Sequence, residues 1–145
     1  MEMNPQARIL VVDDDESTLI LICRMLKKLG YETTGAQDGK EALGCLTQDD
    51  EFHFVLTDIN MPVMDGWELA RRIKTRYPHL PIIALTGLSP DQILPRISSS
   101  GIEHALFKPL RIEHLGDILS TILESKTAQF AQERSGESTG NDGLH

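Results

Sequence analysis

The sequence predicts an α/β fold, a parallel five-stranded sheet with helices on both faces. Three observations carry this expectation. Short apolar runs alternate five times with segments of helical period, the pattern left by successive βα units. The run Pro81-Ile82-Ile83-Ala84-Leu85 is continuously apolar rather than alternating, as in strands covered on both faces. Four runs stop at a polar group, Asp13, Asp58, Thr86 or Lys108, and sheets of this kind bind ligands beyond the carboxyl ends of their strands.

In chain order, Arg8 to Val12 is a short β-branched run ending in acids, hence a buried strand. Glu16 or Ser17 starts a helix that runs to Leu29 and stops at Gly30. Thr18, Ile22, Met25 and Leu29 are placed on its core face, with Leu21 alongside. Tyr31 to Ala36 is a second, weaker strand. Asp38 with Glu41 three residues on forms a capping box for a helix bearing Ala42, Leu43, Cys45 and Leu46.

His53 to Asp58 is the third strand, broken at once by Asn60 and Pro62. Asp65 can cap the helix from about Gly66 to Tyr77, whose apolar residues are Trp67, Leu69, Ala70 and Ile73. Pro81 to Thr86 is the fourth strand. Ser89-Pro90 reads as an N-cap followed by proline at the first helical position. Pro95 lies beyond the first turn, where it removes a hydrogen bond, so a short or kinked helix is expected over 90–99, ended by Gly101. His104 to Phe107 is the fifth strand. Glu113 to Lys126 is the last helix, with Leu115, Ile118, Leu119, Ile122 and Leu123 on one face. Residues 127–145 are polar and glycine-dotted, a tail or linker end expected to be disordered. The folded domain is therefore placed at residues 6–126.

Composition narrows the function. The 145 residues are enough for one domain; 40% are hydrophobic and 25% charged, as in soluble globular proteins. A formal net charge of −8 argues against nucleic acid and anionic membranes, which require clustered Lys and Arg. No apolar run approaches the roughly 20 residues of a membrane span, and the N-terminus has no signal pattern, so a cytoplasmic location is expected. Cys23 and Cys45 read as structural thiols, the five histidines as surface or boundary residues without metal spacing, and Met61 and Met64 as loop packing. Trp67 is read as a packed helix residue near the site and a usable fluorescence reporter.

An acid run at a helix start, such as Asp13 to Glu16, is ordinarily a solvated end favoured by the helix dipole. Convergence with Asp58 and Lys108 changes that reading. Three carboxylates at one sheet edge repel, and at least one resists ionisation unless a cation is present. Magnesium is a hard ion that works with one or two carboxylates, phosphate and water. Asp13 and Asp14 would hold it, with one oxygen from Asp58 and a backbone carbonyl near Asn60. Asp58 would accept a phosphoryl group, carboxylates being competent nucleophiles for that transfer. Lys108 would face the phosphoryl oxygens and Thr86 would donate its hydroxyl to them.

Val11-Val12-Asp13-Asp14, Asp58-Ile59-Asn60-Met61-Pro62 with Asp65-Gly66, Ala84-Leu85-Thr86-Gly87 and Phe107-Lys108-Pro109 together resemble the motifs of CheY-like receiver domains, the phosphoacceptor domains of bacterial two-component response regulators. The resemblance covers roughly residues 6 to 125. It implies a flavodoxin-like (βα)5 fold of strand order 2-1-3-4-5. It also implies a phosphorylation-dependent switch in a phosphorelay, without metabolic turnover, and a donor phosphohistidine on a sensor histidine kinase or histidine phosphotransfer protein. Asp58 is then the phosphoacceptor, Asp13 and Asp14 bind Mg2+, Thr86 switches, Lys108 contacts phosphate, and the Lys108-Pro109 bond is cis. A monomer or weak homodimer is expected.

The sequence departs from the family in one place: Ala105 stands three residues before the lysine, where most receivers carry Tyr or Phe. Two other readings compete. One is a receiver kept only as an interaction scaffold. The other is an aspartate-nucleophile phosphohydrolase, which wants a second Asp two residues after the nucleophile; Asn60 stands there. Ile20 is placed nearly opposite the core face of the first helix, as an ordinary exposed apolar residue or a docking contact.

Overall fold

The computed structural model describes residues 7–49 and 51–124. Five strands, β1 (Arg8–Val12), β2 (Glu32–Ala36), β3 (Phe54–Asp58), β4 (Ile82–Thr86) and β5 (His104–Phe107), alternate with helices α1 (Glu16–Lys28), α2 (Gly39–Gln48), α3 (Gly66–Arg76) and α4 (Pro90–Ile97). A fifth helix, α5, covers 112–124. The proposed tail at 127–145 lies outside the described residues. All neighbouring strands are parallel, in the order β2-β1-β3-β4-β5, which is the flavodoxin-like arrangement expected.

The chain divides into two compact units, Met1–Leu110 and Arg111–His145. In the first, β3 and β4 are buried at every position, so their residues pack on both faces of the sheet. Leu10, Val12, Val55, Ile82 and Ala84 join Ala42 and Leu46 of α2, Leu69 and Ile73 of α3 and Ile93 of α4 in one apolar cluster. The opposite pleat carries Ile9, Val11, Leu56, Ile83 and Leu85, also buried. In the second unit, Leu115, Leu119 and Ile122 form the buried stripe of α5, on the expected face.

The helix starts follow the capping residues. Asp15, Asp38 and Asp65 each accept a hydrogen bond from the backbone N–H three residues on, satisfying donors that the first turn leaves unpaired. The Glu41 side chain closes the α2 entry by accepting from Gln37 N–H. At α4, Ser89 N–H and Oγ–H both donate to Gln92 Oε1. Pro95 lies inside α4, which is only eight residues long. Gly30, at φ 100°, ends α1 in the left-handed conformation that glycine tolerates, whereas α4 stops at Ile97 with Ser98 as its cap, and Gly101, at φ 91°, turns the chain three residues later.

The core face of α1 differs from the expectation. Leu19, Ile22 and Leu26 are buried, whereas Leu21 is 58% exposed and Thr18, Met25 and Leu29 sit at the margin or outside. Outside the charged side made by Arg24, Lys27 and Lys28, residues 18–29 carry a broad apolar face, so two rival stripes share Ile22, and helical period alone does not choose between them. Ile20 is exposed, as expected.

Candidate phosphoacceptor site

The site is built at the carboxyl ends of β1, β3, β4 and β5. The register sets Val12 beside Thr57, Asp58 beside Leu85 and Thr86 beside Phe107, so Asp13, Asp58, Thr86 and Lys108 leave the sheet at nearly one level. The acid run divides its labour. Asp15 faces outward and caps α1, accepting from Thr18 N–H and Oγ–H at 2.9 and 2.6 Å. Those bonds hold its carboxyl below the usual range. Asp14 is exposed at the rim. Asp13 turns inward and is only 1% exposed.

Asp13 Oδ1 accepts from Asp15 N–H at 2.9 Å. Its Oδ2 is buried without a hydrogen bond, the one such side-chain atom among the described residues. Lys108 Nζ lies 3.5 Å from that oxygen and 3.8 Å from Asp58 Oδ1. Asp58 is buried at the end of β3, and its Oδ1 accepts from Ile59 N–H at 2.9 Å. Burial raises the Asp58 carboxyl above its ordinary 3.8; Asp13 and Asp14 push the same way, while Lys108 and the Ile59 amide pull back. One carboxylate oxygen from each of Asp13, Asp14 and Asp58 lies within 4.8 Å of the others. A single lysine faces three acids. An orphaned buried oxygen in an all-oxygen cluster with excess negative charge fits a small divalent cation.

Thr86 is fully buried. Its Oγ accepts from Leu88 N–H at 3.0 Å, which leaves the hydroxyl hydrogen to donate. Its carbonyl accepts from Lys108 N–H at 2.8 Å, tying the two strand ends together just before the cis Lys108-Pro109 bond. Asn60 opens the β3–α3 loop on the exposed side. Ala105 and Phe107 pack on the same side of the regular strand β5, so an aromatic does stand beside Thr86, one pair further along than Ala105.

Three contributors were not evident as site residues from the sequence. The amides of Ile59 and Asp15 hold the two inner carboxylates, and backbone groups leave no trace in residue type. Gly66 is the third. A Cβ there would lie 2.4 Å from the Asp58 carbonyl oxygen and 2.8 Å from Ile59 Cα, and Gly66 N–H donates to Ile59 O at 2.8 Å. The start of α3 therefore rests directly on the backbone that carries Asp58. The Asp65-Gly66 pair was the available signal, since glycine just inside a cap often marks close approach.

A family model described as the response regulator receiver domain matches residues 9–120. The chain belongs to that family. The receiver is 36% identical over 114 residues to the sensor protein EvgS of Escherichia coli (strain K12), covering 79% of this chain and 9% of that protein. It thus spans about a tenth of the length of that curated relative. Among solved structures, a response regulator receiver domain protein from Clostridium thermocellum superposes with a TM-score of 0.79 at 29% identity, covering 85% of this chain and 98% of that one. The response regulator protein TrrA from Thermotoga maritima, solved in complex with Mg(2+)-BeF, gives 0.73 at 30% identity, covering 80% and 98%. No helix among the described residues is long and apolar enough to cross a membrane.

Proposed function

We propose that this receiver, at residues 6–126, is a phosphorylation-dependent switch that takes a phosphoryl group from a phosphohistidine onto Asp58. The observation that carries the reading is the pair of buried carboxylates, Asp13 and Asp58, with the half-buried Lys108 ammonium between them and an unbonded Asp13 oxygen beside the Asp58 carboxylate. Asp58 Oδ1 is engaged by the Ile59 amide, which leaves Oδ2 to attack phosphorus. The P–O bond forms as the P–N bond breaks, and the departing imidazole takes up a proton. Positioning and charge neutralisation carry most of such a transfer.

Asp13, Asp14, Asp58 and the Asn60 carbonyl would hold Mg2+, which when bound offsets the negative charge of the acids and of the phosphoryl oxygens. Lys108, already between the two inner carboxylates, turns its ammonium to the new oxygens. Thr86 donates its free hydroxyl hydrogen to them. A group bringing close to two negative charges then draws the β4–α4 loop inward. The donor is a sensor histidine kinase or histidine phosphotransfer protein, the setting is cytoplasmic, and no substrate is turned over.

Incubation with Mg2+ and acetyl phosphate followed by intact mass tests this. One added phosphoryl group is expected, lost on chelating Mg2+ beforehand and absent in Asp58→Ala. A protein that stays unmodified, even with a phosphorylated donor domain, would leave only an interaction scaffold. Multiple turnovers on simple phosphate esters would indicate a hydrolase, which Asn60 argues against.

A further inference from the structure

The one tryptophan of the chain immediately follows Gly66, the residue seated on the Asp58 backbone. Trp67 is buried. The guanidinium carbon of Arg96 lies over its ring, 4.3 Å from the centroid, well within the range of a cation–π contact. Arg96 belongs to α4, which leaves the sheet directly after Thr86. This stack is a side-chain clasp between two helices, each tied at its amino end to a residue of the phosphoacceptor site. Through Gly66, α3 is anchored to Asp58. Through the Leu88 N–H to Thr86 Oγ bond, the α4 entry is anchored to Thr86.

Arg96 is exposed and follows Pro95, which can donate no backbone hydrogen bond within α4. The helix is short, has one buried residue, Ile93, and so has few contacts holding it down. A weakly held helix is the element a small displacement can move. Besides Ile93, only Ile97 of α4 packs against the core, and the Arg96 stack on Trp67 adds one more tie.

We propose that the Trp67–Arg96 stack is the latch that couples Asp58 to α4. Phosphorylation draws the Thr86 hydroxyl toward Asp58. Leu88 N–H loses its acceptor, the α4 entry shifts, and Arg96 leaves the ring. Arg96 acts through position and not in the transfer itself. The inference rests on the phosphoacceptor reading above and adds the route by which the event is felt at a distance.

The test compares wild type, Arg96→Gln and Arg96→Lys with and without Mg2+ and acetyl phosphate, using intact mass on the same samples to measure phosphoryl occupancy. Tryptophan emission reports only Trp67. Emission should change on phosphorylation in wild type, change less in Arg96→Lys, and stay constant in Arg96→Gln at equal occupancy. Before phosphorylation, amides of α4 in Arg96→Gln should exchange with solvent roughly threefold to tenfold faster than in wild type. If both proteins are phosphorylated equally and show the same emission change and α4 exchange, the latch is overturned while the phosphoacceptor assignment stands. If wild type takes up no phosphoryl group, the phosphoacceptor assignment itself fails and the coupling fails with it.

Discussion

The two ends of the sheet carry the same shortage of positive charge and put it to opposite uses. At the amino end, Arg8 lies 2.6, 3.3 and 3.8 Å from Asp49, Glu32 and Glu51 and over the Phe52 ring. Lys74 Nζ donates to the Pro78 and Leu80 carbonyls and to Glu103 Oε2, while Glu103 Oε1 accepts from Ile82 N–H. Two cations face four carboxylates there. At the carboxyl end one lysine faces three. Each end lacks two positive charges, so net charge does not distinguish them.

Burial does. Glu32 and Glu51 are largely solvated, and water supplies what the cations do not. The Glu51 amide and Arg8 hold the Asp49 carboxyl below its ordinary value. Asp13 and Asp58 are buried, and Asp58 is pushed up. The first end is a finished set of bonds that contributes to stability. The second is left incomplete, and incompleteness is what permits a cation and a phosphoryl group to add to it.

The comparison breaks most severely at Gly66. Gly66→Ala sets a methyl group against backbone rather than against a side chain able to yield. A loss of about 3 kcal/mol in urea unfolding is expected, along with phosphoryl uptake, because the Asp58 backbone must shift. Lys74→Met tests the opposite end. It leaves the part-buried Leu80 carbonyl without its donor while water takes over at the exposed Glu103 carboxylate, costing about 1.5 kcal/mol, and phosphoryl occupancy by intact mass stays at the wild-type level.

Asp58→Asn is the smallest effect and the sharpest. In chelator it should stabilise the protein by about 1 kcal/mol at neutral pH, read as a higher Tm, since an ionised buried carboxylate is removed. The sign follows from the direction of the shift. A folded carboxyl raised above 3.8 keeps a proton that the unfolded chain releases, so wild-type stability falls as pH rises through that window. The Asn variant should lack this fall. Asp49, lowered by its partners, contributes stability above 3.8 that is lost as pH drops, and Asp49→Asn should flatten the acid side instead.

The legible part of the molecule was the part written in side-chain type. Strand ends, the caps Asp38 and Asp65 and the helix-stopping Gly30 were readable because each needs a particular residue at a particular place, whereas the Asp15 cap of α1 was not singled out. The converging Asp13, Asp58, Thr86 and Lys108 were readable for the same reason. The rotation of α1 was not, because its apolar residues spread over a face wide enough that Leu19 and Leu26 have no advantage over Met25 and Leu29 until the sheet is in place. Arg96 was not legible either. Its partner Trp67 lies 29 positions away in the chain, and only the packing of α3 beside α4 brings them together.

The loop between Asp58 and Gly66 holds one further consequence. Met64 N–H donates to Pro62 O at 2.8 Å across Val63, whose φ is 69°, a left-handed γ-turn that is rare and strained for a β-branched residue. Val63 is fully exposed, so its side chain gains nothing from burial in exchange. Descendants of this sequence should therefore drift at position 63 toward glycine or asparagine more readily than at any neighbouring position, with the turn itself inherited unchanged.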